Sequence, residues 1–463
     1  MIAVSSRLGR LVALARPQPG EPITLTRRLL QLAWPSFVEN LLQTMLGFVD
    51  LVFVGQLGPD AIAGVGLGNQ LMVLLQVVFM GLAVGNTALV ARAIGANDPV
   101  DAERIAKQSL LIGVLLSLFV AAVGLLYADP IICVMGATDD VTAIGSGFLR
   151  VVSAFSVVIA LMLIAGGTLR GAGDTRTPML ITGVINIVNV VLDYLLIFGN
   201  FGFPHLGPVG SAVATTVARG VGAGLMLYAL FRRGSILHFS LRGAWGVHRK
   251  TIGRILNIGG PAAAEQVIFQ LGFLTFSAIA VFLGTNDLAA QQIAFNIANF
   301  SGLPAQAFGV AAITLVGQSL GARDPDRAQA SAWQALKSGM IWMSIMGVGF
   351  IIFRQGLVGM YTGDPAVQGL SEMCLVFIAV AQPLQAIAVV IASALRGAGD
   401  TRATLVITSV CVWFVRVVLA YLLGIVFGLG LFGVWLGWFA DFIIRATLIF
   451  LRFQDGRWKT LRF

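Results

Sequence analysis

The chain has 463 residues, of which 57% are hydrophobic and 11% charged, and its mean hydropathy is +0.90. Ordinary soluble chains carry about twice that share of charge, which excludes a string of soluble domains, and recurrent apolar runs long enough for a ~30 Å hydrocarbon core make this an all-α polytopic membrane protein. The formal net charge of +9 lies in short segments between those runs, with no basic stripe interleaved with aromatics, which excludes a nucleic-acid partner.

An N-terminal arm, residues 1–28, carries Arg7, Arg10 and Arg16 around a short apolar stretch without a cleavage site, so the first span is expected to stay in the mature chain. Twelve spans follow, near 30–55, 61–90, 105–127, 141–169, 177–199, 208–231, 254–282, 288–317, 329–353, 367–395, 402–427 and 431–452. The first contains Pro35, which frees a backbone carbonyl one turn earlier and is expected to kink the helix. Glu39 and Gln43 follow, and Asp50 lies near the far end. The second span ends in Gly95-Ala-Asn-Asp-Pro99, and the fourth in Leu169-Arg-Gly-Ala-Gly-Asp-Thr-Arg176. Gly171 and Gly173 permit a tight link, Asp174 can cap the next helix, and Arg170 can face the last carbonyls or a phosphate. That string reads as a rigid corner without a ligand. The fifth span holds Asn189 and Asp193, one turn apart on one face.

A basic segment, residues 232–253, then separates two halves, 29–231 and 254–453, with a tail at 454–463. The second half repeats the first at an offset of 226. Pro261 answers Pro35, Glu265 answers Glu39, Gly321-Ala-Arg-Asp-Pro325 answers the first GAxDP turn, and Leu395-Arg-Gly-Ala-Gly-Asp-Thr-Arg402 is identical to 169–176. Gln270 extends the polar face around Glu265. Each half has an even number of spans, so the copies are two six-helix parallel repeats related about the membrane normal. Of the 30 Lys and Arg residues, 25 fall in the two end segments, the even-numbered connections or the span ends that adjoin them, while Arg354 alone falls in an odd connection. Both termini are therefore expected in the cytoplasm of a bacterial-type inner membrane, with both LRGAGDTR turns facing it.

Two six-span repeats with LRGAGDTR after spans four and ten resemble the multidrug and toxic compound extrusion (MATE) transporters. So do Gly47-Phe-Val-Asp50, Val54-Gly-Gln-Leu-Gly58 and Asn189-x-x-x-Asp193-Tyr-Leu-Leu-Ile-Phe-Gly199. The resemblance implies two lobes around a central cavity that opens alternately to each side. It also implies antiport of organic, often cationic, compounds such as drugs against H⁺ or Na⁺. Asp50, Asn189 and Asp193 match the first-lobe cation-site positions of the DinF-like, commonly proton-coupled branch. The NorM-like branch is expected to have an acid in span ten, where this chain has Gln382-Pro-Leu-Gln385.

Acidic residues inside spans are costly and are functional candidates by default. Asp50 and Asp193 are expected at similar depth, and two carboxyl groups in one apolar site do not easily both ionise, which suits a proton acceptor. The same oxygens, with Asn189, also suit Na⁺. Glu39 and Glu265, helped by Gln43 and Gln270, are candidates for binding cationic substrate or a proton. Phe276 and Leu419 stand where the second half would repeat the two acids, and Arg416 is expected to form a structural ion pair with Asp441 or to leave it to Arg445. Cys133, Cys374 and Cys411 lie far apart, and His205, His238 and His248 fall in connections. No nucleophilic, metal or redox arrangement results, so the expectation is a transporter rather than an enzyme, without cofactor or obligatory protein partner. A lipid-precursor flippase fits less well, because it would want more spans and a strongly cationic cavity.

Overall fold

The computed structural model describes residues 24–134, 138–232 and 246–461. The arm up to residue 23, His238 and most of the basic segment between the halves lie outside the described residues. Among the described residues, eleven helices are long and apolar enough to cross a membrane, and a bent pair makes a twelfth span. In chain order they are Leu25–Gly55 (span 1), Pro59–Gly95 (span 2), Pro99–Val134 (span 3), Asp139–Ala154 with Ser156–Gly171 (span 4), Arg176–Phe198 (span 5) and Pro208–Phe231 (span 6). The second half has Arg249–Leu283 (span 7), Thr285–Gly321 (span 8), Pro325–Gly359 (span 9), Pro365–Gly397 (span 10), Thr401–Val426 (span 11) and Gly430–Gln454 (span 12).

The repeated strings form helix ends of one design. At the end of span 4, Gly173 takes a left-handed φ of 93°. The Gly173 N–H then reaches the Arg170 carbonyl at 3.0 Å, and the Asp174 N–H reaches Leu169 at 2.8 Å, a Schellman motif. Gly399 repeats this with φ 85°. Asn97 and Arg323 play the same part in the two GAxDP turns, each at φ 60°. Asn tolerates that conformation better than Arg. Asp174 caps the following helix through the Thr177 N–H at 3.0 Å. Because each turn is this short, the helices run well past the apolar runs that mark them in the sequence.

Two expectations need correction. Span 4 is not a continuous helix, because it bends by 53° at Phe155, whose φ and ψ are −106° and 19°. Serines flank the break, and the Ser156 hydroxyl donates to the Ser117 carbonyl of span 3 at 3.0 Å, so the bend follows packing rather than a proline. The offset of 226 also drifts. Span 11 contains π-helical turns at Cys411–Val417 and Leu422–Val426, and a π turn accommodates an extra residue. Gly210 packs on Leu196 and Gly433 on Leu423, so the leucine lies one residue beyond the offset, whereas the glycine falls three short of it because the link from Val426 to Gly430 is shorter than that from Phe198 to Pro208.

The halves meet through small residues at the end that carries the repeated turns. A methyl on Gly85 would come within 2.8 Å of the Gly259 backbone, and one on Gly317 within 2.9 Å of the Ala91 side chain. The first span of each half starts in the other half's core. Leu29 and Leu32 pack with spans 8 to 10, and their counterparts Ile255 and Ile258 pack with spans 2 to 6. Polar contacts tie the same end. Gln318 of span 8 donates to the Gly171 carbonyl at 3.2 Å and accepts from Arg28 at 2.9 Å. Thr314 donates to the Arg170 carbonyl at 3.0 Å, and Arg254 of span 7 meets Asp101 of span 3 at 3.0 Å.

Gln318→Leu removes two of these ties and is expected to weaken closure of this end by about 1–3 kcal/mol. With Cys133 replaced by serine, alkylation of an Ala91→Cys reporter should then accelerate about 10-fold or more. An unchanged rate would show that Gln318 does not hold the halves together.

Candidate functional site

Span 5 brings Asn189 and Asp193 to one face, as a separation of four residues requires, and packs that face on spans 1 and 6. Both side chains are fully buried. Asp50 of span 1 stands within hydrogen-bond reach of Asp193. The neighbours fix how the Asn189 amide is turned. An oxygen facing two carboxyl groups would meet acceptors alone, whereas the nitrogen donates to Asp193 Oδ2 at 3.0 Å and to Asp50 Oδ1 at 2.9 Å. The Asn189 oxygen then accepts from the Thr215 hydroxyl of span 6 at 3.2 Å. Asp50 Oδ2 lies 3.4 Å from the same hydroxyl. One hydroxyl proton serves one acceptor at a time, and the shorter contact favours Asn189.

The three candidates of the first half thus form one cluster, and Thr215 completes it. Thr215 escapes a reading of the sequence because a threonine in an apolar span is unremarkable until packing shows which way it faces. Asp193 Oδ1 is buried without a partner. Carboxyl groups within hydrogen-bond reach of each other need a proton between them, and an orphaned carboxyl oxygen costs less neutral than charged. A carboxyl pair in this setting is chemically able to take up and release a proton.

Asp50 also lines a cavity of about 310 Å³ formed by spans 1, 2, 4, 5 and 6. Asp193 sits behind it, so Asp50 is the member through which the cavity reaches the pair. Gln43 lines the same cavity, with Asn69, Gln76, Asn186 and Arg219. The Asn186 amide donates to the Leu42 carbonyl at 2.7 Å, leaving its oxygen without a partner.

The glutamates lie elsewhere and are occupied. Glu39 accepts from Arg170 at 2.8 Å. Glu265 accepts from Arg396 at 2.7 Å and from Thr404 and Thr408 at 2.8 and 3.1 Å. The arginine of each repeated turn therefore reaches back to the glutamate that follows the first-span proline of its half. This replaces the expected contact of Arg170 with helix-end carbonyls or phosphate. Pro35 and Pro261 lie inside unbroken helices, and Gln270 is half-buried on span 7.

In the second half Phe276 is fully buried, and the charge is arranged differently. Asp441 Oδ2 accepts from Arg416 at 2.5 and 3.1 Å and from Arg445 at 3.1 Å. The expected ion pair is thus a triad with one positive charge in excess. Phe442 and Phe269 stack on Arg445 at 4.5 and 5.5 Å, which spreads part of that charge over their ring faces.

A family model described as MatE matches residues 35–195 and 261–422, one match in each half. The chain is 33% identical to a probable multidrug resistance protein NorM of Thermotoga maritima, over 94% of this chain and 93% of that protein. It is 29% identical to the transporter YisQ of Bacillus subtilis, over 95% and 96%. Among solved structures, the fold matches an outward-facing MATE transporter of the MOP superfamily with a TM-score of 0.87 at 24% identity, covering 94% of this chain and 97% of that one. A MOP superfamily transporter of Pyrococcus furiosus matches with a TM-score of 0.86, also at 24% identity, over 94% and 95%. The matched residues carry the turns, Asp50, Asn189 and Asp193, and most of the cavity lining, and the chain belongs to the MatE family, a family of membrane transporters and not of enzymes.

Proposed function

We propose that this transporter exports organic, chiefly cationic amphipathic compounds, drugs among them, in exchange for protons. Its two lobes, residues 29–231 and 254–453, joined by the basic segment 232–253, would open alternately to each side of a central cavity, in an inner membrane with both termini cytoplasmic. The names of the curated relatives support multidrug export as the class of activity. The observation that supports proton coupling is the carboxyl pair itself, Asp50 beside Asp193, with Asp193 Oδ1 buried without a partner.

In this reading, substrate enters the cavity while the pair holds at most one proton. Protonation from outside through Asp50 then removes the remaining charge and lowers affinity for a cation. Span 1 repacks near Pro35, where the backbone has a free carbonyl, and substrate leaves. Asp50, Asn189 and Asp193 are the coupling residues. Glu39 and Glu265 act through their arginines to hold the first span of each lobe to its repeated turn. This grouping follows the DinF-like pattern of the first lobe, although the relatives carry the name NorM.

The test is ethidium movement in proteoliposomes with a pH gradient or a Na⁺ gradient imposed separately. A pH gradient alone should drive accumulation, and Na⁺ should leave the rate unchanged. Transport that follows Na⁺ with pH clamped would overturn proton coupling.

A further inference from the structure

A second cleft, of about 470 Å³, opens at the turn-bearing end, away from the acid cluster. Arg27, Leu30, Gln31 and Trp34 line it from span 1, and their spacing of three and four residues makes them one stripe. Arg176, the first residue of span 5, lines it from the other side. Among the described residues, this lining carries two guanidinium groups and no carboxylate.

The repeat supplies an internal comparison. At the offset of 226, Gln31 becomes Asn257 and Arg176 becomes Arg402. There the two sides meet, because Arg402 donates to Asn257 Oδ1 at 2.6 Å. Arg27 and Trp34 become Gly253 and Gly260. The first half therefore leaves open a place that the second half closes by a hydrogen bond, and adds a cation and an indole to it. Two guanidinium groups around one gap attract an anion. The surface beyond them is apolar: Leu30 and Trp34 are exposed. Trp34 leans on Phe37 at 5.6 Å between ring centres, and Phe37 reaches Trp342 of span 9 at 6.5 Å. A headgroup phosphate above hydrocarbon chains has this same order of charge and apolar surface, whereas a free phosphate has no use for the apolar track.

We propose that this cleft binds an anionic phospholipid from the leaflet at the turn-bearing end. Arg27 and Arg176 take the phosphate, to which a planar guanidinium offers paired donors. Leu30 and Trp34 receive an acyl chain, with the indole at the headgroup level where amphipathic rings sit. A lipid with a choline headgroup brings its own cation, which the two arginines repel. The lipid also joins the halves. The start of span 1 packs in the core of the second half through Leu29 and Leu32, whereas span 5 packs in the first through Ile181 and Ile185. A phosphate held by Arg27 and Arg176 bridges them as the bond from Arg402 to Asn257 does in the other repeat. Because it fits the closed arrangement of this end, its binding favours that form.

Native mass spectrometry of the full-length protein, titrated with dioleoylphosphatidylglycerol or dioleoylphosphatidylcholine, tests the site. Wild type should bind the glycerol lipid about 10-fold or more tightly than the choline lipid. Arg27→Gln with Arg176→Gln should erase that preference. Arg249→Gln with Lys250→Gln, which removes two exposed cations from the start of span 7, should keep it within about 2-fold. Millimolar inorganic phosphate should leave the lipid in place. With Cys133 replaced by serine, the Ala91→Cys reporter should be alkylated about 3-fold more slowly or less in nanodiscs of the glycerol lipid than in those of the choline lipid. The Arg27 and Arg176 substitutions should remove that difference.

Equal affinity of wild type for the two lipids overturns the site without any variant. An equal loss in both double variants, or no loss in either, overturns it as well. Displacement by inorganic phosphate overturns the lipid in favour of the free anion. Selective lipid binding with an unchanged alkylation rate overturns the bridge between the halves.

Discussion

Asp193→Asn is expected to lower proton-coupled export by about 100-fold or more, the scale on which losing a required proton acceptor acts. The asparagine side chain has the same shape, and its oxygen can still accept from Asn189, so the helices keep their packing. What disappears is the ability to take and release a proton. The fixed neutral group imitates the protonated carboxyl, so substrate affinity should fall while the fold survives. Substrate-driven quenching of a trapped pH dye in proteoliposomes measures this directly. Asp50→Asn should behave alike, with a larger loss of substrate binding because Asp50 faces the cavity. Coupling at the wild-type ratio in both variants would remove the pair from the mechanism.

The largest structural effect is expected at Asp441. Both Arg416 and Arg445 depend on Asp441 Oδ2, and taking one partner from a buried ion network costs about 3–5 kcal/mol. Asp441→Asn leaves two guanidinium groups facing each other across an apolar core. It should sharply lower the midpoint of thermal unfolding in detergent, read as loss of the monodisperse chromatographic peak. Arg445→Met is expected to stay within about 1 kcal/mol of wild type, because it leaves the two contacts of Arg416 in place and removes the excess charge. If the two variants melt alike, the triad is not the centre of this half's stability.

Much of this architecture is legible in the sequence because its signals are local. Apolar runs give the spans, and the duplicated LRGAGDTR string gives the two halves. Carboxylates in apolar runs stand out however the helices pack, so Asp50 and Asp193 can be named, and Asn189 joins them by its spacing. The remaining features depend on which side of a helix meets which neighbour. Thr215 and Arg219 become site residues only once span 6 is seen to turn them toward spans 1 and 2. The link from Arg170 to Glu39 is hidden because its partners lie 131 residues apart. The identical separation of Arg396 and Glu265 is a trace of it in the repeat. The bend of span 4 carries neither proline nor glycine at its centre. The register drift in the second half enters through π turns and a shorter link between spans 11 and 12, which no string comparison at fixed offset can see.

The ties at the turn-bearing end also set populations. Gln318 makes two hydrogen bonds between the halves there and Thr314 a third. At about 1 kcal/mol each, these three alone hold the open form of that end to about one molecule in a hundred. A compound arriving from that side meets mostly closed transporters, and its apparent dissociation constant rises by about the same factor of 100. Efficient export then requires the substrate to bind the rare form more tightly by a matching amount. Weakening the ties would improve capture from that side, and would cost the transporter its ability to shut behind the cargo.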